Sequence, residues 1–485
     1  MHLRELIVEN FKGFKGERKL TFDKDLTFFV GDNNSGKSSI FEALDFLKTG
    51  LPLTKKLDDL KNKNSNGDIN VTVKLQEGIE CVINDFSEVK YLPYVFKENG
   101  IETLIARRTS KASTIKQGKK NVEINIKKIT LWNNTSRQFE NPSGIDTVFK
   151  TLFETQFVWA DTSPDEISDF GTTKICGRLL MGAIGDFFKS EQWDKFTQTH
   201  KETFHTGPNS LSSRTKSLEK RIQDILTDQY GLANVNFNFE LPDVSSFIKS
   251  GEIDIDDGTK TSSKEKGTGM QRALALALIQ VYADEICKHP DDPLKKKPLF
   301  LFIDEPETFL HPKAQEKLLE ALGIISKVQQ VFVTTHSPYL LKSFDPSRHT
   351  LYMCTKLKDT NEAVPSSSLH LFGKSSPTWG EINYFAYGLL TVEFHNELYG
   401  FVQAKATTID LNNYTEEIFD NYLVSKKITK SKTWIRENKD GTTSTLPRTL
   451  QTYIRNYIHH PENTRNVIYT VMELKKSIEE LLTLL

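Results

Sequence analysis

The nine residues "GDNNSGKSS", positions 31–39, constrain this 485-residue chain more than any other stretch. Gly31, Gly36, Lys37 and Ser38 stand at the spacing GxxxxGK[ST]. The apolar run "LTFFV" precedes them, and "SSIFEALDFL" follows with Ile40, Leu44 and Leu47 at helical spacing. A strand that turns through such a loop into a helix is the setting in which this spacing binds phosphate. The two glycines let successive backbone N–H groups, those of Asp32, Asn33, Asn34 and Ser35 through Ser39, turn toward phosphate oxygens. The helix N-terminus adds positive potential. Lys37 is expected to reach the β- and γ-phosphates, and the Ser38 hydroxyl to ligate Mg²⁺. A chance glycine-rich turn is the competing reading.

A second stretch counts against chance. "LFLFIDEPE" is an apolar strand that ends on Asp304 and Glu305. Acids at the C-terminal edge of a buried parallel strand face the same crevice as a phosphate loop. Asp304 is the expected metal partner, and Glu305 the group that orients or deprotonates the attacking water. "VFVTTHSPYLL" ends a further strand at His336, a candidate γ-phosphate contact, although a lone histidine is more often structural. Uninterrupted apolar strands alternating with helices predict an α/β sheet covered on both faces.

In order, the phosphate loop, "KGTGMQRALALAL", "FLFIDEPETFLHP" and "VTTHSP" resemble ABC-type ATPases of the RecF/SMC and OLD-like branch. The opening "ENFKGFKG" is similar to that branch as well. The resemblance covers about 1–90 and 230–345. It implies an α/β P-loop NTPase, an ABC ATPase head, with a helical insert and a C-terminal helical bundle. It implies ATP and Mg²⁺ as cofactors, and a homodimer or higher homo-oligomer in which two heads pack head to tail. The signature loop closing the partner's site would be Gly267, Thr268, Gly269 and Gln271. This departs from LSGGQ, with Thr268 standing where serine is usual. For the glutamine of the Q-loop, Gln76 and Gln156 both stay open.

Length and composition then divide the chain. At 485 residues it calls for two or three domains. The expected division is a head lobe over 1–100, an insert over 101–230, and a second head lobe over 231–350. A linker over 351–388 and a helical domain over 389–485 complete it. The span between Lys37 and Asp304 is too short for a long coiled-coil arm, and no heptad run fills it. Within the insert Arg107, Arg108, Lys111, Lys116, Lys119, Lys120, Lys127 and Lys128 crowd together with a single acid, Glu123. That run offers a nucleic-acid contact, though a solvated hairpin is the preferred reading, and a net charge of −1 advertises no polyanion overall. The four cysteines, Cys81, Cys176, Cys287 and Cys354, are far apart, which favours reduced thiols and a cytoplasmic setting. No run is apolar enough to cross a bilayer, and the N-terminus lacks a signal-peptide pattern. No membrane partner is expected.

The tail after 350 holds no DxD triplet and few strand patterns, against the Toprim domain that OLD-like nucleases carry. Three helices are expected there, in "EFHNELYGF", "LPRTLQTYIRNYIHH" and "YTVMELKKSIEELLTLL". The second contains Arg455-Asn456-x-x-x-His460, which resembles the RNxxxH motif of HEPN ribonucleases. There His460 would serve as acid or base and Arg455 would stabilise phosphorane charge. The competing reading is an ordinary helix end, where Arg and His are favoured and Pro461 follows naturally. The chain also resembles ATPase subunits of the PARIS and Septu antiphage systems and ATPase–HEPN anticodon nucleases. These resemblances imply an ATPase that gates an effector in phage defence, its own tail or a separate nuclease. A RecF-like DNA-maintenance ATPase is the alternative.

Overall fold

The computed structural model describes residues 1–485 apart from 86–88, 160–174, 242–245, 247–248, 250, 289–297, 309, 328, 343, 408–414 and 439–440. The polar stretch "HPDDPLKKKP", positions 289–298, lies almost wholly outside these described residues. The chain forms two compact units, Met1–Ala160 with Asp291–Leu485, and Asp161–Pro290.

The first unit is organised by a six-stranded sheet. Its order is Glu154–Val158, Leu299–Asp304, Gln330–Thr335, Leu26–Val30, His349–Lys356 and Asn361–Pro365. All neighbours are parallel except the last pair. Every residue of Leu26–Val30, Leu299–Asp304 and Gln330–Thr335 is buried, which is why these strands read as continuous apolar runs. Register places Phe157 beside Phe302 and Phe302 beside Phe332. Their rings stack across the strands at 4.7 and 4.8 Å. Each such ring contributes ~1.5–3 kcal/mol by burial, so this ladder anchors the strand ends that carry the acids.

A second, antiparallel sheet runs Gln138–Glu140, Ile129–Asn133, Ile101–Thr109, Asn70–Gln76, His2–Glu9, Glu17–Thr21, with Phe96–Glu98 on Ile101–Thr109. The helix Lys37–Thr49 shares one hydrophobic core with both sheets through Ile40, Phe41, Ala43, Leu44, Phe46 and Leu47. Buried Arg108 donates from Nε to the Leu47 carbonyl at 2.9 Å and from Nη1 to the Ile126 carbonyl at 2.8 Å. A cation there satisfies the negative end of the helix, and burial pulls its pKa down to about 10.

Ile101–Thr109, Ile129–Asn133 and Gln138–Glu140 therefore build the same sheet as the N-terminal strands, with Ser113–Gln117 and Lys120–Ile124 pairing separately as a hairpin, whereas an insert beginning at 101 was expected. Their polar-apolar alternation carries no mark of which sheet they join. The expected linker also differs. His349–Lys356 and Asn361–Pro365 complete the parallel sheet, and Trp379–Tyr387 is a helix opened by a capping box of Thr378 and Glu381.

The C-terminal part is helical as anticipated. Helices Val392–Thr407, Glu416–Ser425, Leu450–His459 and Val471–Leu482 bury Phe394, Leu398, Phe419, Leu423, Ile454 and Ile478 in a core of their own. A hairpin, Lys432–Glu437 with Thr443–Arg448, was not foreseen. Its Trp434 packs edge-on against Tyr453 at 5.7 Å.

The second unit, by itself, contains helices Ile175–Ile184, Glu191–Lys201, Leu211–Tyr230 and Thr268–Lys288, and a short hairpin of Asp254–Asp256 with Lys260–Ser262. Residues 235–241, "VNFNFEL", alternate like a strand but form no regular element.

Candidate nucleotide site

Three parallel strands deliver the candidate chemistry to one sheet edge. Leu26–Val30 leads into the loop, Leu299–Asp304 ends on Asp304, and Gln330–Thr335 lies between them and leads to His336. The loop needs its glycines at two points. Gly31 has φ 138° and Gly36 φ 95°, both in the region that L side chains avoid. A Cβ on Gly31 would also collide with the Cys354 carbonyl on the neighbouring strand. Asp32, Asn33 and Asn34 form the exposed rim, Ser35 is buried, and Lys37, Ser38 and Ser39 open the helix.

Lys37 is buried, and its Nζ donates to the carbonyls of Gly31 at 3.0 Å and Asp32 at 2.9 Å. Burial lowers its pKa, with Cys354, Glu305 and Asp304 opposing the shift. Ser38 Oγ donates to Asp304 Oδ1 and Oδ2 at 3.0 and 3.1 Å. Thr334 on the intervening strand also donates its hydroxyl to Asp304 Oδ1. A hydroxyl and a carboxylate facing each other in this way are a hard-oxygen donor set, the type that magnesium takes.

Glu305 has φ 48°, an uncommon conformation outside glycine. Its N–H donates to Thr334 O at 3.1 Å and to Thr334 Oγ1 at 3.0 Å, which holds the residue out of the strand. Its Oε1 lies 2.9 Å from His336 Nε2. On the other side of the ring, Nδ1 lies 3.5 Å from Lys37 Nζ. One tautomer satisfies both contacts, with Nδ1 accepting from Lys37 and Nε2–H donating to Glu305. Burial, then the Lys37 charge, lowers the His336 pKa, with Glu305 and Asp304 opposing, which favours the neutral ring.

Lys37, Ser38, Asp304, Glu305 and His336 are thus joined in one hydrogen-bonded group. Sequence reasoning missed two members that hold it together. Thr334 ties Asp304 to the Glu305 backbone, and Glu307 binds the turn that carries His336. The "EPE" spacing was visible, but only the fold shows where its second glutamate points.

Residues 26–342 match a family described as "AAA domain, putative AbiEii toxin, Type IV TA system". The chain belongs to that family. This AAA-domain chain is 25% identical over 399 residues to the Old nuclease of Escherichia phage P2, covering 78% of this chain and 64% of that protein. It is 22% identical over 444 residues to the endonuclease GajA of Bacillus cereus, covering 76% and 62%. The chain thus spans less than two thirds of the length of each of these relatives. Among solved structures, an SmcHead bound to the C-winged helix domain of ScpA is 16% identical, at a TM-score of 0.44, covering 75% of this chain and 98% of that one. The α/β P-loop NTPase expectation holds, and the expected likeness to OLD-type proteins is borne out as a likeness to these two relatives.

Other candidates fall elsewhere. Gly267, Thr268, Gly269 and Gln271 open the helix Thr268–Lys288 in the second unit. Gly267 and Thr268 are exposed, while the Gln271 side chain is turned back to the carbonyls of Ser263 and Lys264 at 3.1 and 2.9 Å. Gln76 donates to Thr103 Oγ1 and Gln156 to the Phe157 carbonyl, so neither hydrogen-bonds the phosphate loop. Arg455 Nη1 contacts Asn456 Oδ1 at 3.2 Å and Glu416 Oε1 at 3.6 Å. His460 caps the helix Leu450–His459, with Nδ1 3.1 Å from Glu462. Among the described residues no hydrogen bond or ion pair joins Arg455 to His460.

The basic run is divided too. Arg108 is structural and Arg107 stacks 3.8 Å over the Phe139 ring. Lys128 pairs with Asp146 at 3.1 Å. Lys111, Lys116, Lys119, Lys120 and Lys127 stay exposed, three of them on the hairpin Ser113–Gln117 with Lys120–Ile124 or its turn. Among the described residues no helix is long and apolar enough to cross a membrane.

Proposed function

We propose that this protein binds and hydrolyses ATP with magnesium, and that nucleotide binding between two copies switches a nuclease-type defence function. The observation that carries this reading is the single hydrogen-bonded group of Lys37, Ser38, Asp304, Glu305 and His336. Lys37 would leave its two loop carbonyls for the β- and γ-phosphate oxygens. Ser38 and Asp304 would hold the magnesium, whose charge offsets that of the phosphates. Glu305 accepts the proton of the attacking water, while His336, neutral and donating from Nε2, keeps that carboxylate aimed.

The dimeric part rests on the exposed signature loop at Gly267 and Thr268, whose helix N-terminus suits a γ-phosphate supplied by a second copy. The defence part is supported by relatives named as an Old nuclease and an endonuclease. A HEPN-like ribonuclease site at Arg455 and His460 would need that second copy, because within one chain each faces an acid instead. A separate nuclease partner completes the reading; the exposed lysine hairpin is where a nucleic-acid contact, the less favoured reading of that run, would fall. For the test, Glu305→Gln is mixed with ATP and magnesium and sized on a column. A long-lived dimer, absent without nucleotide, is expected; a monomer under both conditions would refute the switch.

A further inference from the structure

Glu307 has no catalytic role in the ATPase reading, yet it is a buried acid at the edge of the nucleotide site. One of its oxygens, Oε1, accepts three hydrogen bonds from three consecutive residues. Thr335 Oγ1 donates at 2.6 Å, His336 N at 2.8 Å and Ser337 N at 3.1 Å. Burial raises its pKa, the donated bonds opposing. Burying an acid costs stability, and here only the three bonds to Oε1 offset that cost, because Oε2 is buried without a partner among the described residues.

We propose that Glu307 is the positioning residue of the catalytic group: it fixes the backbone of the 335–337 turn so that the His336 ring reaches Glu305 and Lys37 together. The proposal rests on the ATPase reading. Its geometry is direct. His336 leaves the strand Gln330–Thr335 at this turn, and its ring must span from Glu305 Oε1 at 2.9 Å to Lys37 Nζ at 3.5 Å. Without a fixed backbone at residue 336, a rotation at Cα would break both hydrogen bonds. The turn has further braces, since Ser337 Oγ donates to Gln315 and the Trp379 indole donates to the Pro338 carbonyl at 2.9 Å. Among the described residues, Glu307 alone takes hold of the His336 N–H itself. Its bonds go to the 335–337 turn rather than to Lys37, Ser38 or Asp304, so its effect passes through His336.

Substitutions separate this from a merely structural role. Glu307→Gln retains an accepting oxygen at the same reach. Glu307→Asp keeps the charge but shortens the arm by one methylene. Glu307→Ala removes the acceptor. A misplacement of about 1 Å can cost ~100-fold in rate. ATP turnover is therefore expected to fall roughly 10- to 100-fold in the Ala and Asp variants, and to stay within about threefold in Gln, with ATP affinity unchanged in all three. In a His336→Ala background the Ala and Asp changes should cost less than about twofold, because the group they position is already gone. An equal loss in both backgrounds, or a Gln variant as impaired as Asp, overturns the proposal. If Glu307→Ala does not fold, the Asp and Gln pair alone decides. A wild-type protein that does not hydrolyse ATP would overturn the parent reading and this one with it; a hydrolysing wild type with additive losses overturns this one only.

Discussion

The nucleotide site and the RNxxxH segment were both legible as short motifs, and the fold treats them in opposite ways. At the first, residues from positions 31 to 336 converge because parallel strands share one edge, and hydrogen bonds link the side chains of Lys37, Ser38, Asp304, Glu305 and His336 through Thr334 into one group. At the second, Arg455 and His460 lie on one helix or its cap, yet each is paired with a different acid, Glu416 and Glu462. Spacing on a helix places residues near one another; only tertiary closure by other elements makes their side chains cooperate. A catalytic group has to be held by what surrounds it.

Substituting in turn at each site sharpens that contrast. The largest expected effect is Glu305→Gln, which should lower ATP turnover by ~10²–10⁴-fold, the range for loss of a general base. His460→Ala should leave turnover within about twofold. Phosphate release under saturating ATP checks both, and equal losses would erase the distinction.

The next effect is on pH. The folded His336 binds a proton less readily than its ordinary value of 6.5, owing to burial and Lys37. The stability contributed by its neutral ring is therefore complete above that value and lost as pH falls below it. Turnover should stay level down to about pH 6.5 and decline only on the acid side. An acid limb centred above that value, absent in His336→Ala, would show a protonated ring instead.

Smaller is the lysine hairpin. Lys116, Lys119 and Lys120 are exposed, with no ion pair to an acid in the described residues. Replacing all three by alanine should reduce the salt dependence of duplex DNA binding by a slope of about 3, since each phosphate that a lysine neutralises adds about 0.9. ATP turnover should not change. An unaltered slope assigns these lysines to solvent. The smallest effect is Arg455→Ala on stability. Its ion pair is half-exposed and 3.6 Å long, so denaturant midpoints should imply a loss of less than ~1 kcal/mol.

What the sequence made legible follows the same logic. The phosphate loop and the acid-ended strand could be read because their strands are buried on both faces and their motifs are contiguous. The 101–140 strands were harder, since alternation identifies a half-buried strand but not its partners. Residues 235–241 alternate equally well and form no strand, for a strand is stable only beside a neighbour that pairs with it. The hairpin ending at Arg448 was hidden because its second strand, "TSTLPR", is polar and contains Pro447. Glu307 could not be found at all without the fold, because its partners lie about thirty residues away on another strand.

The account depends most on Lys37 and its neighbours holding a nucleotide. Titration of the purified protein with ATP and magnesium, wild type beside Lys37→Ala, tests this most directly. The account predicts one nucleotide bound per chain in the wild type and a loss of affinity of about 100-fold or more in the variant. Equal binding by the two proteins, or none by the wild type, would contradict it.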